Sequence, residues 1–456
     1  MTLQTDKNTA RLGSEPIGRL LLNYSIPAVI GTVMTSLYNI VDRVFIGQGV
    51  GPIAISGLAL TFPLMTLITA VGTLIGVGAM ARTSIVLGMK DEKWAQNILG
   101  NAFILTFFLS ALLTCGSMFF IDKILYAFGG SEQTIPYARS YLMIVIPGSV
   151  FVNLSYSFSG IMRAAGYPHK SMYTILIGVV LNVILDPIFI FGFDMGIKGA
   201  AIATVISMFV SSVFVMTHFC NPKHTVHFRR DCFHPKWRII RNIVSIGMAP
   251  FAMNFAASIV NVIMNNQLVR EGGDLAIGAF GIINSFGILI VMFVLGICQG
   301  MQPIVGYNYG AQKYKRMKDT FLLTIRISTL IITIGFIAFE LMPGILVRAF
   351  TTDPELAQMA KHGMRLAYMV LPLIGMQIVT SVFFQSISKA AKATFMGLSR
   401  QVIFLIPSLY FFSHWFGLTG VWLSLPCADL LSAIVALFML RSERRIFYPR
   451  TVPRRV

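Results

Sequence analysis

Charge is scarce in this chain of 456 residues, of which only 12% are charged and 55% are hydrophobic. Because an average soluble domain carries about twice that share of charge, the composition argues against both a disordered chain and an ordinary soluble globule. The apolar residues come in long blocks, which indicates burial in a bilayer. A membrane span needs about 20 apolar residues, so this length accommodates about twelve spans. We expect an all-α integral membrane protein with twelve transmembrane helices.

Signatures of soluble enzymes are also missing. The five cysteines form no CxxC pair, so disulfides are not expected. Without a Gly-Lys dipeptide there is no Walker A sequence, and the chain has neither an HExxH motif nor an Asp-Asp dipeptide for a magnesium-diphosphate site. Histidines and cysteines do crowd one polar stretch, but their spacing fits no standard zinc pattern; they are His218, Cys220, His224, His227, Cys232 and His234. We therefore predict no resident metal, no cofactor and no enzymatic activity.

A single long polar interruption lies near the middle of the chain and divides it into two hydrophobic halves. The predicted organisation is a cytoplasmic N-terminal segment (1–19), an N-lobe of six helices (20–219), a cytoplasmic linker (220–238), a C-lobe of six helices (239–440) and a basic cytoplasmic tail (441–456).

The net charge of +18 comes from lysines and arginines that fill the short gaps between apolar blocks. Most of them fall in alternate loops and in the two terminal segments, which by the positive-inside rule predicts that both termini are cytoplasmic. This distribution favours contact with anionic lipid over nucleic acid. We expect a multi-pass protein of the cell membrane.

The two halves repeat each other at an offset of 220 to 225 residues. Pro27 matches Pro250, and Pro187 matches Pro407. Because six spans return the chain to its starting side, the halves are predicted to be parallel bundles with a cavity between them.

Acidic residues inside the predicted spans each require an explanation, since a carboxylate at mid-bilayer costs about 2.5–3.5 kcal/mol. Asp42 and Asp186 lie in the N-lobe, and Asn182 precedes Asp186 by four residues, on the same helix face. The repeat places Met264 and Ile406 at the corresponding C-lobe positions, so the fold itself does not need these acids. They are candidates for binding protons or hard cations, with a structural salt bridge, such as Asp42 with Arg43, as the alternative.

Two further acids are less informative. Glu340 lies near a helix end, where its carboxylate could reach the interface. Asp429 is central in the last span and either pairs with Arg326 or takes part in coupling. Proline at positions 27 and 187 is expected to kink the helices that carry the N-lobe acids.

Three motifs together resemble the multidrug and toxic compound extrusion (MATE) family, most closely its DinF-like and MepA-like branch. They are Asn39-x-x-Asp42-Arg43-x-Phe45-Ile46-Gly47 with Pro27, Ser159-Gly160-Ile161-Met162-Arg163-Ala164-Ala165-Gly166, and Asn182-x-x-x-Asp186-Pro187. The resemblance implies a cation-coupled antiporter of two lobes that alternates its access. It also implies a coupling site in the first lobe, at Asp42, Tyr141, Asn182, Asp186 and Thr204. The acids that the NorM-like branch carries in the second lobe are not found here.

The expected function is export of cationic, amphipathic compounds, with protons as the favoured coupling ion and sodium as the alternative. The 25 methionines and 36 phenylalanines suit varied cationic ligands. Candidate residues of the substrate cavity are Tyr38, Asn153, Tyr156, Met172, Met264 and Gln267. The competing hypotheses are a lipid or oligosaccharide flippase of the same wider fold, an intramembrane enzyme and a channel. Because the predicted cavity lies within one chain, we expect a monomer in contact with membrane lipids and small-molecule substrates.

Overall fold

The computed structural model describes residues 7–351, 353–443 and 446–447, and within these ranges the regular structure is helical, without strands. The side chains of Asn39 and Arg43, and the tail beyond residue 447, lie outside the described part. The helices of the first half are α1 (Lys7–Arg11), α2 (Ile17–Gly49), α3 (Pro52–Gly88), α4 (Glu92–Phe119), α5 (Ile121–Ala127), α6 (Ile135–Ala164), α7 (Pro168–Pro187) and α8 (Gly196–Cys220).

The linker that follows contains one short 3₁₀ turn, Arg230–Phe233. The helices of the second half are α9 (Trp237–Gly310), α10 (Tyr314–Leu341), α11 (Pro343–Arg348), α12 (Pro354–Ala367), α13 (Leu371–Ser386), α14 (Ala390–Leu398) and α15 (Ile406–Ser442). Two π-helical segments, Ile188–Gly192 and Ser399–Leu405, follow α7 and α14.

Local sequence explains several helix starts. Proline occupies the first turn of α3, α7 and α12, where a missing N–H costs nothing. The Asp91 carboxylate accepts the Trp94 N–H at the start of α4, and Asp353 accepts the Leu356 N–H at the start of α12, both at 2.9 Å.

Nine helices of the described chain are long and apolar enough to cross a membrane, or ten if α12 and α13, which meet at a bend of 56°, form one span. Two of the nine contain a non-helical residue, Gly273 in α9 and Gly417 in α15. If both helices are divided at these glycines, the ten candidate spans become twelve, which is the expected number. The count of twelve stays a prediction.

The internal repeat reappears in the backbone. Eight of the ten residues with positive φ in the described chain occur in pairs at matching positions of the two halves: Gly51 with Gly273, Lys90 with Gln312, Gly166 with Ser388, and Gly196 with Gly417. Both members of the last pair have φ of +55°. Because an L side chain rarely adopts this conformation, the recurrence marks the same four turns in each half.

The helices of each half pack mainly against one another. In the N-lobe α6 contacts α3 and α8, and α7 contacts α2 and α8; in the C-lobe α9 contacts α10, α12 and α14. The lobes meet where α2 and α3 pack against α9. The predicted two-bundle architecture is thus confirmed.

Contacts between the lobes concentrate at one end of the bundle, which we call the terminal end because α2 starts and α15 ends there. At this end Gly78 packs against the backbone of Ile243, and Gly247 packs against that of Leu74. Glycines towards the opposite end, such as Gly57 beside Tyr137, pack within their own lobe. The lobes are therefore joined at the terminal end.

Candidate functional site

A buried polar cluster occupies the interior of the N-lobe, between α7 and α8. Asp186 and Asn182 on α7 are both 0% exposed, and the Asn182 amide donates to the Asp186 carboxylate at 3.3 Å. The same amide contacts the Thr204 hydroxyl on α8, also at 3.3 Å. Thr204 donates in turn to the backbone carbonyl of Ala200 at 3.0 Å. Asn182 therefore links the carboxylate of one helix to the hydroxyl of the next.

Helix α2 brings the second carboxylate to this cluster. The carboxyl groups of Asp42 and Asp186 lie next to each other, close enough to share a hydrogen bond. The hydroxyls of Tyr38 on α2 and Tyr141 on α6 both lie beside Thr204. Four helices thus converge on one group of oxygen atoms, and the five residues expected at the coupling site lie together.

Among the described residues, two oxygens of the cluster have no hydrogen-bond donor. Asn182 Oδ1 and Asp186 Oδ2 are buried and accept no hydrogen bond from a described residue. Buried polar atoms are normally paired, so these two acceptors are available to a ligand. Carboxylate, amide and hydroxyl oxygens at close range can bind a proton or a hard cation such as sodium. The ion pairs between described residues do not include Asp186.

Tyr38 was expected in the substrate cavity, and the structure places it at the cluster. Its spacing of four residues from Asp42 puts both on one face of α2, a signal that sequence reasoning did not use. Pro27 lies inside α2, and Pro187 ends α7 immediately before the π-helical segment. The predicted kinks at these prolines stay predictions.

The C-lobe acid has a different partner from the one expected. Asp429 is 2% exposed and accepts from Arg400 Nε at 2.5 Å, so the suggested pairing with Arg326 is wrong. Arg400 lies in the π-helical segment Ser399–Leu405, and Asp429 lies in α15. Glu340 is half-buried at the end of α10, where its backbone carbonyl accepts from Arg365 at 3.2 Å.

The other cavity candidates do not share one environment. Asn153 is fully buried, and its amide donates to Ser110 at 2.9 Å opposite Gly72; it packs helices within the N-lobe rather than facing an open cavity. Met264 and Gln267 are buried in the C-lobe. Tyr156 is exposed and Met172 half-buried. A common substrate cavity for these residues stays a prediction.

The histidines of the linker region form stacking contacts. The rings of His218 and His224 stack at 4.0 Å, and the Tyr167 hydroxyl lies 2.9 Å from His224 Nδ1. Cys232 is buried beside Gly100 of α4. Within the described ranges, no three histidine, cysteine or acidic residues are grouped as metal ligands would be.

A protein-family model described as MatE matches residues 27–188 and 246–411, once in each lobe. The chain is 30% identical to the multidrug export protein MepA of Staphylococcus aureus, over 93% of both chains. It is 28% identical to the MepA of Staphylococcus haemolyticus, over 94% of both.

Solved structures agree on the fold. An outward-facing multidrug resistance MATE family transporter of the MOP superfamily superimposes with a TM-score of 0.92 at 24% identity, covering 98% of this chain and 100% of that one. A MOP superfamily transporter from Pyrococcus furiosus gives 0.91 at 25% identity, with the same coverage. The predicted family is therefore confirmed: the chain belongs to the multidrug and toxic compound extrusion (MATE) family of membrane transporters.

Proposed function

We propose that this transporter is a proton-coupled antiporter that exports cationic, amphipathic drugs across the cell membrane, with Asp42 and Asp186 as the coupling carboxyls. The observation that carries the proposal is the contact between these two acids inside the N-lobe. The naming of the relatives of this chain as multidrug export proteins supports the substrate class.

The coupling step follows from charge. Two ionised carboxylates about 4 Å apart repel by roughly 4 kcal/mol at an effective dielectric constant of 20. A proton taken up by the pair removes this repulsion, and the pair titrates as one unit. Asn182 and Thr204 orient the Asp186 carboxylate, so the change of charge alters contacts among α2, α7 and α8. Antiport requires that proton and drug favour opposite conformations.

The direction of transport depends on membrane orientation. The lysines and arginines that flank the spans predict that both termini are cytoplasmic, and the proposal adopts this orientation. The terminal end then faces the cytoplasm, and the contacts that join the lobes there belong to an outward-facing state. A proton enters the cluster from outside and the drug leaves outwards. After the lobes rearrange, the proton is released inside.

Two arginines inside the lobes argue against a flippase for lipid or oligosaccharide phosphates. Arg163 donates to Gln299 at 2.6 Å and Arg400 binds Asp429, so both guanidinium groups are already engaged. A phosphate-binding cavity would need basic groups that are available to the ligand.

Transport in proteoliposomes tests the proposal. Uptake of ethidium is followed under an imposed pH gradient for the wild type, Asp42→Asn, Asp186→Asn and the control Glu340→Gln, which alters an acid outside the cluster. We expect loss of gradient-driven transport in the first two variants and retention in the control. Retention in all three would show that the acids are structural. A sodium gradient at equal pH on both sides distinguishes sodium from proton coupling.

A further inference from the structure

The N-terminal strap, which we define as residues 7–15, lies across the terminal end between the two lobes. Its first part binds the N-lobe, where the Thr9 hydroxyl donates to the carbonyl of Ala165 at 3.0 Å. Gly166 has φ of +101°, and a Cβ on it would lie 2.9 Å from the backbone of Asn8. The turn after α6 therefore accommodates the strap only because a glycine occupies this position.

The second part of the strap binds the C-lobe through its backbone. Helix α1 ends at Arg11, so the next carbonyls have no helical partner. Three side chains of the C-lobe donate to them: Asn308 Nδ2 to residue 12 at 2.9 Å, Lys313 Nζ to residue 13 at 2.8 Å, and Arg316 Nη2 to residue 15 at 2.6 Å.

The donors are held in register with the strap. Arg316 Nε donates to Asn308 Oδ1 at 3.3 Å, so the two side chains support each other. Leu12 is fully buried, and a Cβ on Gly13 would lie 2.8 Å from the ring of Tyr307. Two of the three hydrogen bonds come from cations, and such charge-assisted bonds are roughly twice as strong as neutral ones.

The strap is covalently continuous with α2, the N-lobe helix that carries Tyr38 and Asp42. All three donors belong to the C-lobe, at the end of α9 and the start of α10. A motion that separates the lobes at the terminal end must therefore break the three bonds or pull the strap away from the N-lobe.

We propose that Asn308, Lys313 and Arg316 are positioning residues that latch the terminal end shut by binding the backbone of the strap. The latch rests on the proposed alternating access, in which this end must open once in each transport cycle. It stabilises the state with the terminal end closed and is released when the lobes rearrange. Weakening it raises the population of the open state without altering the coupling carboxyls.

Spin-label distances between the lobes test the latch in the full-length protein. The labels are attached at Lys93→Cys of α4 and Ala391→Cys of α14, two exposed positions near the terminal end, in a background without the accessible Cys115, Cys220 and Cys427. The double variant Lys313→Gln with Arg316→Gln is compared with the wild type. The rescue variant Lys313→Arg with Arg316→Lys keeps both charges. Lys315→Gln alters an exposed neighbouring cation.

We expect the double variant to raise the population with the longer interlobe distance about tenfold or more, since each lost bond is charge-assisted. The rescue variant and Lys315→Gln should resemble the wild type. Unchanged distances in the double variant, or an equal shift in Lys315→Gln, would overturn the proposal. If the double variant does not fold, the single variant Lys313→Gln is used for the same comparison, because the Lys313 side chain is exposed and its replacement leaves the core intact. The measurement uses no gradient and no drug, so a failure of coupling at Asp42 and Asp186 leaves its result unaffected.

Discussion

The carboxylate of Asp429 and the guanidinium of Arg400 form an ion pair of 2.5 Å inside the C-lobe, whereas Asp186 of the N-lobe lies against another acid. The two lobes share a fold, but the buried carboxylate of the C-lobe has a cationic partner and that of the N-lobe has an acidic neighbour. A paired acid keeps its charge and holds helices together. Two adjacent acids repel each other when both are ionised, so one of them gains from taking up a proton. This contrast supports a structural role for the C-lobe pair and the proposed coupling role for the N-lobe pair.

The C-lobe pair predicts a loss of stability. Asp429→Asn leaves the Arg400 charge without its partner, a loss of at most about 3–5 kcal/mol for a buried pair. The loss is reduced here because 28% of the Arg400 side chain is exposed. Thermal unfolding in detergent should show a clear drop in Tm. The double variant Asp429→Leu with Arg400→Leu should recover much of that drop, and a double variant as unstable as the single one would contradict this assignment.

The coupling cluster predicts a defect of transport without a defect of folding. Thr204→Val removes the hydroxyl that Asn182 contacts but keeps the shape of the side chain. The amide then loses one of its two partners. We expect proton-driven ethidium transport to fall about tenfold, because a tenfold change in rate corresponds to the free energy of about one hydrogen bond.

Thr204→Ser, which keeps the hydroxyl, is the matched control and should transport almost as the wild type does. Thermal unfolding of both variants should stay close to that of the wild type. Equal transport by the two variants would remove the Thr204 hydroxyl from the mechanism.

Close packing between the lobes predicts a conformational effect of a single methyl group. A Cβ on Gly247 of α9 would overlap the backbone carbonyl of Leu74 in α3, so Gly247→Ala should prevent the terminal end from closing. The interlobe distance at that end should lengthen and transport should fall. Gly281→Ala in the same helix is the control, because a Cβ there meets no atom within 4 Å. Similar distances in both variants would mean that this contact does not define the closed state.

Local spacing predicted part of the site. The four-residue interval between Asn182 and Asp186 placed them on one face of α7, and the repeat showed that the C-lobe lacks equivalent acids. Tyr141 and Thr204 were expected from the family resemblance alone. Tyr38 could have been found by the same interval from Asp42.

Contacts between helices that are far apart in the sequence could not be predicted from local sequence patterns. Arg400 bonds to Asp429 across 29 residues from within a π-helical segment, and the hydrophobic periodicity of the sequence does not predict such a segment or its contacts. The strap is a stronger case, since its donors lie about 300 residues away along the chain. The long helix α9 joins two predicted spans at Gly273, so helix boundaries followed from composition only approximately.

The linker gives a prediction about chemical reactivity. Asn101 of α4 anchors it by donating to the His234 carbonyl at 3.2 Å and accepting the Lys236 N–H at 2.7 Å. Cys232 is buried beneath this anchor, and burial raises the pKa of its thiol, so less of the reactive thiolate is present at neutral pH. Cys232 should therefore react slowly with maleimide in the wild type, while the exposed Cys220 reacts readily.

Asn101→Ala removes both anchoring bonds and should expose the thiol. We expect the labelling rate of Cys232, followed by mass spectrometry of the linker peptide, to rise at least tenfold, while that of Cys220 stays constant. Asn221→Ala is the matched control, because the side chain of that exposed asparagine makes one hydrogen bond to the described residues, accepting the neighbouring N–H of Lys223 at 3.0 Å. If Cys232 labels at the wild-type rate in Asn101→Ala, the linker is held by its apolar contacts with α4, and the Asn101 bonds contribute little to its position.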